Sequence, residues 1–284
     1  MGKNIEQEEV DRKQTKEQVL TIKKNRITKI GKSIKKLVVL DQKQIKKAIN
    51  ALLKYRESTH TDNILDIKDD FIYLEIVLNK LPIKYSLRPV QIQLPNAIYN
   101  QEMNSKFCII STNPQRQFKD QICEFDIPLI QKVIGYGKLN KKYPTYTDKR
   151  KLFYEYDQFF CDQRIYGNLA KGLGKIFYDR KKIPFPINCE NITQEALNEL
   201  QNFTYFIQGN GPVYTVKIGR VAQTAEQITQ NVLAAAYEVL PHVLQEKGMS
   251  LSCLRQLNVK LSSSVSLPFY TRLSVREIEA WKNK

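Results

Sequence analysis

Between Asp41 and Tyr55 the apolar residues Ile45, Ala48, Ile49, Leu52 and Leu53 recur at the spacing of one helical face, with Lys43, Lys46, Lys47 and Lys54 on the other. The pattern predicts an amphipathic helix over 42–55, with Asp41 as N-cap because its carboxylate can accept from the first unpaired N–H groups. The period then shortens to two. Phe71-Ile-Tyr-Leu-Glu-Ile-Val-Leu78 is dense in strand formers and is stopped by Pro82; Val90-Gln-Ile-Gln-Leu94 alternates and is stopped by Pro95. Segments 107–110, 131–134 and 158–161 read as short strands, with a loop at Asn113-Pro114 and helices over 147–156 and 165–173. Strands spaced by helical stretches predict a small parallel sheet with helices on its faces.

Lys181-Lys-Ile-Pro-Phe-Pro186 is expected to break regular structure and to mark a domain boundary, since proline donates no ladder hydrogen bond and biases its predecessor to extended geometry. Beyond it, 193–207 reads as a helix, Gly209-Asn-Gly-Pro212 as a turn and Val213-Tyr-Thr-Val-Lys-Ile218 as an alternating strand. Thr224 and Gln227 form a capping-box pair, and Ile228, Val232, Ala235, Val239 and Leu240 mark one face of a helix expected to end at Pro241 and His242. Segment 254–261 is expected to be the last strand, with Arg255 and Lys260 among its polar positions.

Charge changes this picture more than any motif. The 284 residues carry a net charge of +16, attractive to polyanions, and fifteen Lys and Arg lie between Arg12 and Arg56 against only Glu17 and Asp41. Residues 1–40, with Lys23, Lys24, Arg26, Lys35 and Lys36, read as a basic arm, disordered or helical; an RNA contact, a localisation signal and a plain solvated face are the alternatives for it. Two further basic patches interleave with aromatics. The run 138–151 holds six cations and one acid with Tyr143, Tyr146 and nearby Phe153 and Tyr154; the run 171–182 holds Lys171, Lys175, Arg180, Lys181 and Lys182 with Phe177 and Tyr178. Cations neutralise phosphates and aromatics stack unpaired bases, so RNA is the favoured partner, against an ordinary basic surface over a tyrosine-rich core.

Other chemistry finds little footing. No apolar run approaches the roughly 20 residues of a membrane span, and the polar, acidic start predicts neither a signal peptide nor a membrane partner. Five cysteines without a Cys-x-x-Cys pair, and two separated histidines, His60 and His242, lack metal-ligand spacing; reduced thiols in a cytosolic or nuclear compartment are expected. Gly135-Tyr-Gly137 and Gly172-Leu-Gly174 are too sparse for a dinucleotide loop. Asp69, Asp70, Asp157 and Asp162 border strands, where carboxylates serve turns and caps. The expectation is a protein without catalysis, metal, cofactor or small-molecule substrate.

Three stretches together resemble the ribosomal protein L1 family, and within it the eukaryotic assembly factors that carry this domain more than the ribosomal stalk protein. They are Arg88-Pro-Val-Gln-Ile-Gln-Leu-Pro-Asn96; Asp157-Gln-Phe-Phe-Cys-Asp162 through Leu169-Ala-Lys-Gly-Leu-Gly174 to Lys181-Lys-Ile-Pro-Phe-Pro186; and Val216-Lys-Ile-Gly219, the helix with Asn231, and Leu261-Ser-Ser-Ser-Val-Ser-Leu-Pro-Phe-Tyr270. Order and spacing agree over about 41–273.

The resemblance implies an α/β protein of two domains. A split β-α-β first domain spans 41–99 and 187–273, a Rossmann-like second domain is inserted at 100–186, a basic arm (1–40) precedes and a tail (274–284) follows. It further implies that the first domain grips ribosomal RNA through Glu75, Lys84, Arg88, Lys217, Lys260, Ser263, Ser264 and Ser266. Ser264, Val265 and Ser266 stand where the family's Thr-Met-Gly lies, so the hydroxyl is kept and the glycine is lost; Asn96 stands where histidine is usual. The implied role is binding of precursor ribosomal RNA in the nucleolus, within the early small-subunit precursor particle and alongside other preribosomal assembly factors. A large-subunit assembly factor, the stalk protein itself, and an RNA-modifying enzyme are the rivals.

Overall fold

The computed structural model describes residues 38, 40–59, 71–81, 86–99, 105–125, 127–189, 192–209, 211–245, 251–262 and 264–272. The arm residues Lys23 to Lys36, the Asp69-Asp70 pair, His60, Lys84, Ser263 and the tail lie outside them. In chain order the elements are α1 (Gln42–Thr59), β1 (Phe71–Leu78), β2 (Ser86–Gln93), β3 (Phe107–Ser111), α2 (Gln115–Glu124), β4 (Ile130–Gly135), α3 (Tyr136–Lys142), α4 (Tyr146–Glu155) and β5 (Gln158–Asp162). They continue with α5 (Tyr166–Leu173), α6 (Lys175–Asp179), β6 (Phe185–Ile187), α7 (Gln194–Asn198), β7 (Phe203–Gln208), β8 (Val213–Arg220), α8 (Ala225–Gln245), β9 (Leu254–Leu261) and β10 (Leu267–Thr271). Contacts divide the chain into two units: Met1–Ser86 with Gln208–Lys284, and Leu87–Ile207.

The first unit is an antiparallel sheet, β10-β9-β1-β8, with two helices on one face. Ile72, Leu74, Ile76 and Leu78 of β1 point to that face with Tyr214, Val216 and Ile218 of β8 and Leu257, Val259 and Leu261 of β9, all buried. They meet Ile45, Ile49 and Leu52 of α1 and Ile228, Val232, Ala235, Val239 and Leu240 of α8. Both helix starts follow the capping chemistry in the sequence: Lys43 N–H donates to Asp41 Oδ1 (2.9 Å), Gln227 N–H to Thr224 Oγ1 (3.4 Å) and Thr224 N–H to Gln227 Oε1 (3.1 Å). Asn231 is fully buried in α8, where its Nδ2 donates to Ile218 O at 2.8 Å, tying helix to strand through a carbonyl that burial would otherwise leave unpaired.

Two expectations for this unit are corrected. Pro241 does not end α8, which runs on to Gln245. A proline near a helix end removes one N–H, and the buried Val243 and Leu244 continue the packed stripe beyond it. Segment 254–261 is not the last strand either, because Leu267–Thr271 adds β10 at the edge, where Pro268 sits in a row that does not need every N–H.

The second unit holds a parallel sheet, β4-β3-β5-β6, and a β2-β7 pair. Every residue of β3 and β5 is buried. Cys108, Ile110, Phe159 and Cys161 serve one core with Leu139, Leu152, Phe153, Leu169, Leu173 and Phe177 of the helices. Phe107 and Phe160 meet a second set, in which Tyr99 and Phe107 rings lie 5.3 Å apart, Phe160 and Phe203 5.7 Å, and Phe185 and Phe203 4.5 Å.

That second aromatic set explains where the chain departs from expectation. Residues 193–207 are not one helix: α7 starts on Thr193, whose Oγ1 accepts from Ala196 N–H, and a short 3-10 turn, Glu199–Asn202, then leads into β7. Burial of Phe203 and Phe206 outweighs the helical spacing. Likewise 181–186 is not wholly irregular. Phe185–Ile187 forms β6, an edge strand paired with β5 alone, where Pro186 is tolerated. Helices α2, α3 and α6 had no counterpart in the sequence reading.

Candidate nucleic-acid interface

The face of the antiparallel sheet away from α1 and α8 carries the polar partners of the core strands. Phe71, Tyr73, Glu75 and Val77 alternate with the buried residues of β1 and are half-buried. Register then decides their neighbours. Tyr73 pairs with Lys217 on one side and Lys260 on the other, and Glu75 with Thr215 and Asn258. Lys260 Nζ lies 3.3 Å from Glu75 Oε1, with the Glu75 side chain 14% and the Lys260 side chain 30% exposed. Lys217 Nζ stands 4.4 Å from the centroid of the Phe71 ring, and the guanidinium of buried Arg220 4.6 Å from the same ring. These contacts anchor the cations' stems on an apolar surface and fix where the charges sit.

The structure thus brings Glu75, Lys217 and Lys260 together. Ser264 and Ser266 follow β9 in the turn to β10; Ser264 Oγ accepts Leu261 N–H at 2.9 Å, and Val265 between them is 73% exposed. Arg88 belongs to β2, in the other unit, and is not part of this sheet. Sequence reasoning missed Phe71, Tyr73, Asn258 and Arg220. Alternation from Glu75 points to Tyr73 and Phe71, but only the register brings in Asn258, and only the bulge after Ile72 turns Arg220 onto Phe71. Gly219 lies at that bulge: a Cβ there would meet Gln223 Oε1 at 2.6 Å, and this oxygen accepts Arg220 N–H.

The secondary basic patch on the second unit divides. Lys171, Lys175 and Lys181 are exposed, whereas Lys182 donates to Phe153 O at 2.7 Å with its ammonium 4.5 Å from the Phe153 ring, and so serves the end of α4. The aspartates bordering β5 act as turn residues. Asp157 accepts Lys106 N–H, and Asp162 accepts Arg164 N–H (3.1 Å), Arg164 Nε (3.0 Å) and Thr112 Oγ1. Burial raises the Asp162 pKa, but the Arg164 and Thr112 hydrogen bonds outweigh it and hold the carboxyl below its usual range. Ser111, Thr112, Asn113, Gln117, Gln121 and Arg164 border a polar crevice of about 280 Å³ at this end of the parallel sheet.

Comparison with known proteins agrees with this architecture. Residues 5–265 match the profile of the ribosomal protein L1p/L10e family, a span that includes most of the stretch set apart above as an arm. A Schizosaccharomyces pombe protein assigned by name to ribosome biogenesis is 27% identical over 259 residues, covering 84% of this chain and 68% of its own. The Mus musculus Ribosomal L1 domain-containing protein 1 is 29% identical over 245 residues, 83% of this chain, which spans about half (52%) of the mouse protein. A second Schizosaccharomyces pombe protein with a ribosome biogenesis name is 27% identical over 245 residues, covering 84% of this chain and 83% of its own. With nearly its whole length matched and the split sheet and parallel sheet both in place, the chain belongs to the ribosomal protein L1p/L10e family.

Proposed function

We propose that the protein is a non-catalytic ribosome biogenesis factor that binds precursor ribosomal RNA through the sheet face of Tyr73, Glu75, Lys217 and Lys260 and the turn at Ser264 and Ser266. The ribosome biogenesis names of its relatives support the role. One observation carries the site: Lys217 and Lys260 pair with Tyr73 from the two neighbouring strands, so two lysines enter one half-buried polar sheet face, one held over Phe71 and the other on Glu75. Such a surface positions a phosphate backbone more than it reads bases. In this reading the protein works in the nucleolus, in the early small-subunit precursor particle with other assembly factors. A first domain of 41–99 and 187–273 grips RNA, and the insert 100–186 folds as a unit of its own.

The test is affinity for precursor ribosomal RNA fragments against salt. The pair Lys217→Ala and Lys260→Ala is expected to lower the log-log salt slope by about two, one per phosphate contact, with melting temperature near wild type. An unchanged slope in the folded variant rules out this face. Sedimentation of the tagged protein with large-subunit precursors would move the assignment to that particle.

A further inference from the structure

The sequence groups four aromatics with the basic run 138–151, and the fold separates them. Tyr143 and Phe153 are core residues, each 8% exposed, whereas Tyr146 and Tyr154 are 58% and 68% exposed. The two exposed tyrosines stand on α4 with Arg150 midway between them. Positions i, i+4 and i+8 share a helix face, so the three side chains form one stripe about 12 Å long.

The stripe is braced from below. The Arg150 guanidinium lies 5.5 Å from the Tyr146 ring centroid, and Tyr154 meets Phe153 edge to face with centroids 5.2 Å apart. Phe153 is fixed in turn by Phe177, at 5.3 Å, and by the Lys182 ammonium. The rings are therefore positioned without being buried. Lys141, Lys142 and Lys151 are exposed nearby in the chain. The acids of α4 are already engaged: Asp148 with Thr145 at the helix start, Glu155 with Lys132 and the Tyr156 hydroxyl.

The geometry points to a stacking platform for unpaired bases of single-stranded RNA, formed by Tyr146, Arg150 and Tyr154 and separate from the sheet face. Cations alone would suit any polyanion. Two held, outward-facing rings with a guanidinium between them suit a chain that alternates flat bases with phosphates. The stripe's length corresponds to three or four stacked bases at about 3.4 Å per nucleotide. This inference shares with the proposed function only its partner class, RNA.

The test uses the full-length protein and two probes, a short labelled oligouridylate and a blunt RNA duplex, at one salt concentration. Tyr146→Ala with Tyr154→Ala is expected to weaken oligouridylate binding by about tenfold per tyrosine, leaving duplex binding and the melting temperature unchanged. Tyr146→Phe with Tyr154→Phe keeps both rings and is expected to bind like wild type. Wild-type oligouridylate affinity in the alanine pair overturns the platform, as does equal loss in the alanine and phenylalanine pairs, which would assign the contact to the hydroxyls. Polyglutamate binding lost in the alanine pair, with oligouridylate binding intact, would make the partner an acidic protein. A wild-type protein that binds the duplex and not the oligouridylate sinks this inference alone; one that binds neither sinks the RNA reading as a whole.

Discussion

In β1 burial alternates residue by residue, whereas in β3 and β5 every position is buried. Among the described residues, the first strand belongs to a sheet with helices on one face; the others are buried on both. The consequence is chemical. A sheet whose helices, among the described residues, lie on one face can present side chains from the strands themselves, as Tyr73, Glu75, Lys217 and Lys260 are presented. A sheet covered on both faces has no strand side chain to spare, and its polar groups appear at strand ends, as Asp162 and Thr112 do, or on its covering helices, as Tyr146, Arg150 and Tyr154 do.

The comparison would break most visibly in fragments. If the insert folds on its own, hydrogen exchange should find protected amides in isolated 100–186. That fragment leaves out Tyr99 and Phe203, which lie against Phe107, Phe160 and Phe185 in the whole chain. Protection in 87–207 and none in 100–186 would move the folding boundary outward to the strand pair β2-β7.

A smaller effect sharpens the contrast between the sheets. Phe159→Ala, in a strand buried on both faces, is expected to cost about 3–5 kcal/mol in urea denaturation, whereas Thr215→Ala, exposed on β8, should stay within about 0.5 kcal/mol. Similar losses at the two sites would mean that the second sheet face is as tightly packed as the insert.

The stability of the second unit, Leu87–Ile207, should also depend on pH. Burial pushes the Cys108 and Cys189 thiols from 9.0 up to about 12. A raised thiol pKa means that the unfolded chain ionises first, so this stability is complete below about pH 9 and is lost as pH rises towards 12. Asp162 is lowered, so its contribution is present above its ordinary value of 3.8 and is lost as pH falls below it. Stability measured against pH should therefore fall on both sides. Cys108→Ala is expected to flatten the alkaline limb and Asp162→Asn the acidic one, and a variant with unaltered limbs would show that these groups do not set them.

What the sequence settled by itself was local. Asp41 and the Thr224/Gln227 pair start their helices because a cap needs only its own first turn. Strands β1, β3, β5, β8 and β9 were legible because alternation or dense apolar runs require burial whatever the neighbour. The family resemblance was carried by motifs along the chain, among them Asn231, whose side chain holds the Ile218 carbonyl. Tertiary structure decided what depends on partners distant in sequence. Phe203 became a strand residue because aromatics of β5 and β6 await it, and Pro186 and Pro268 stayed in strands because those strands lie at sheet edges. Lys217 and Lys260 came to flank one tyrosine through register alone, and Tyr143 was buried while Tyr146 was left exposed by the packing of α4. Pairing across a sheet and cover over a helix are contacts between residues far apart in the chain, and no local pattern of apolar and polar residues encodes them.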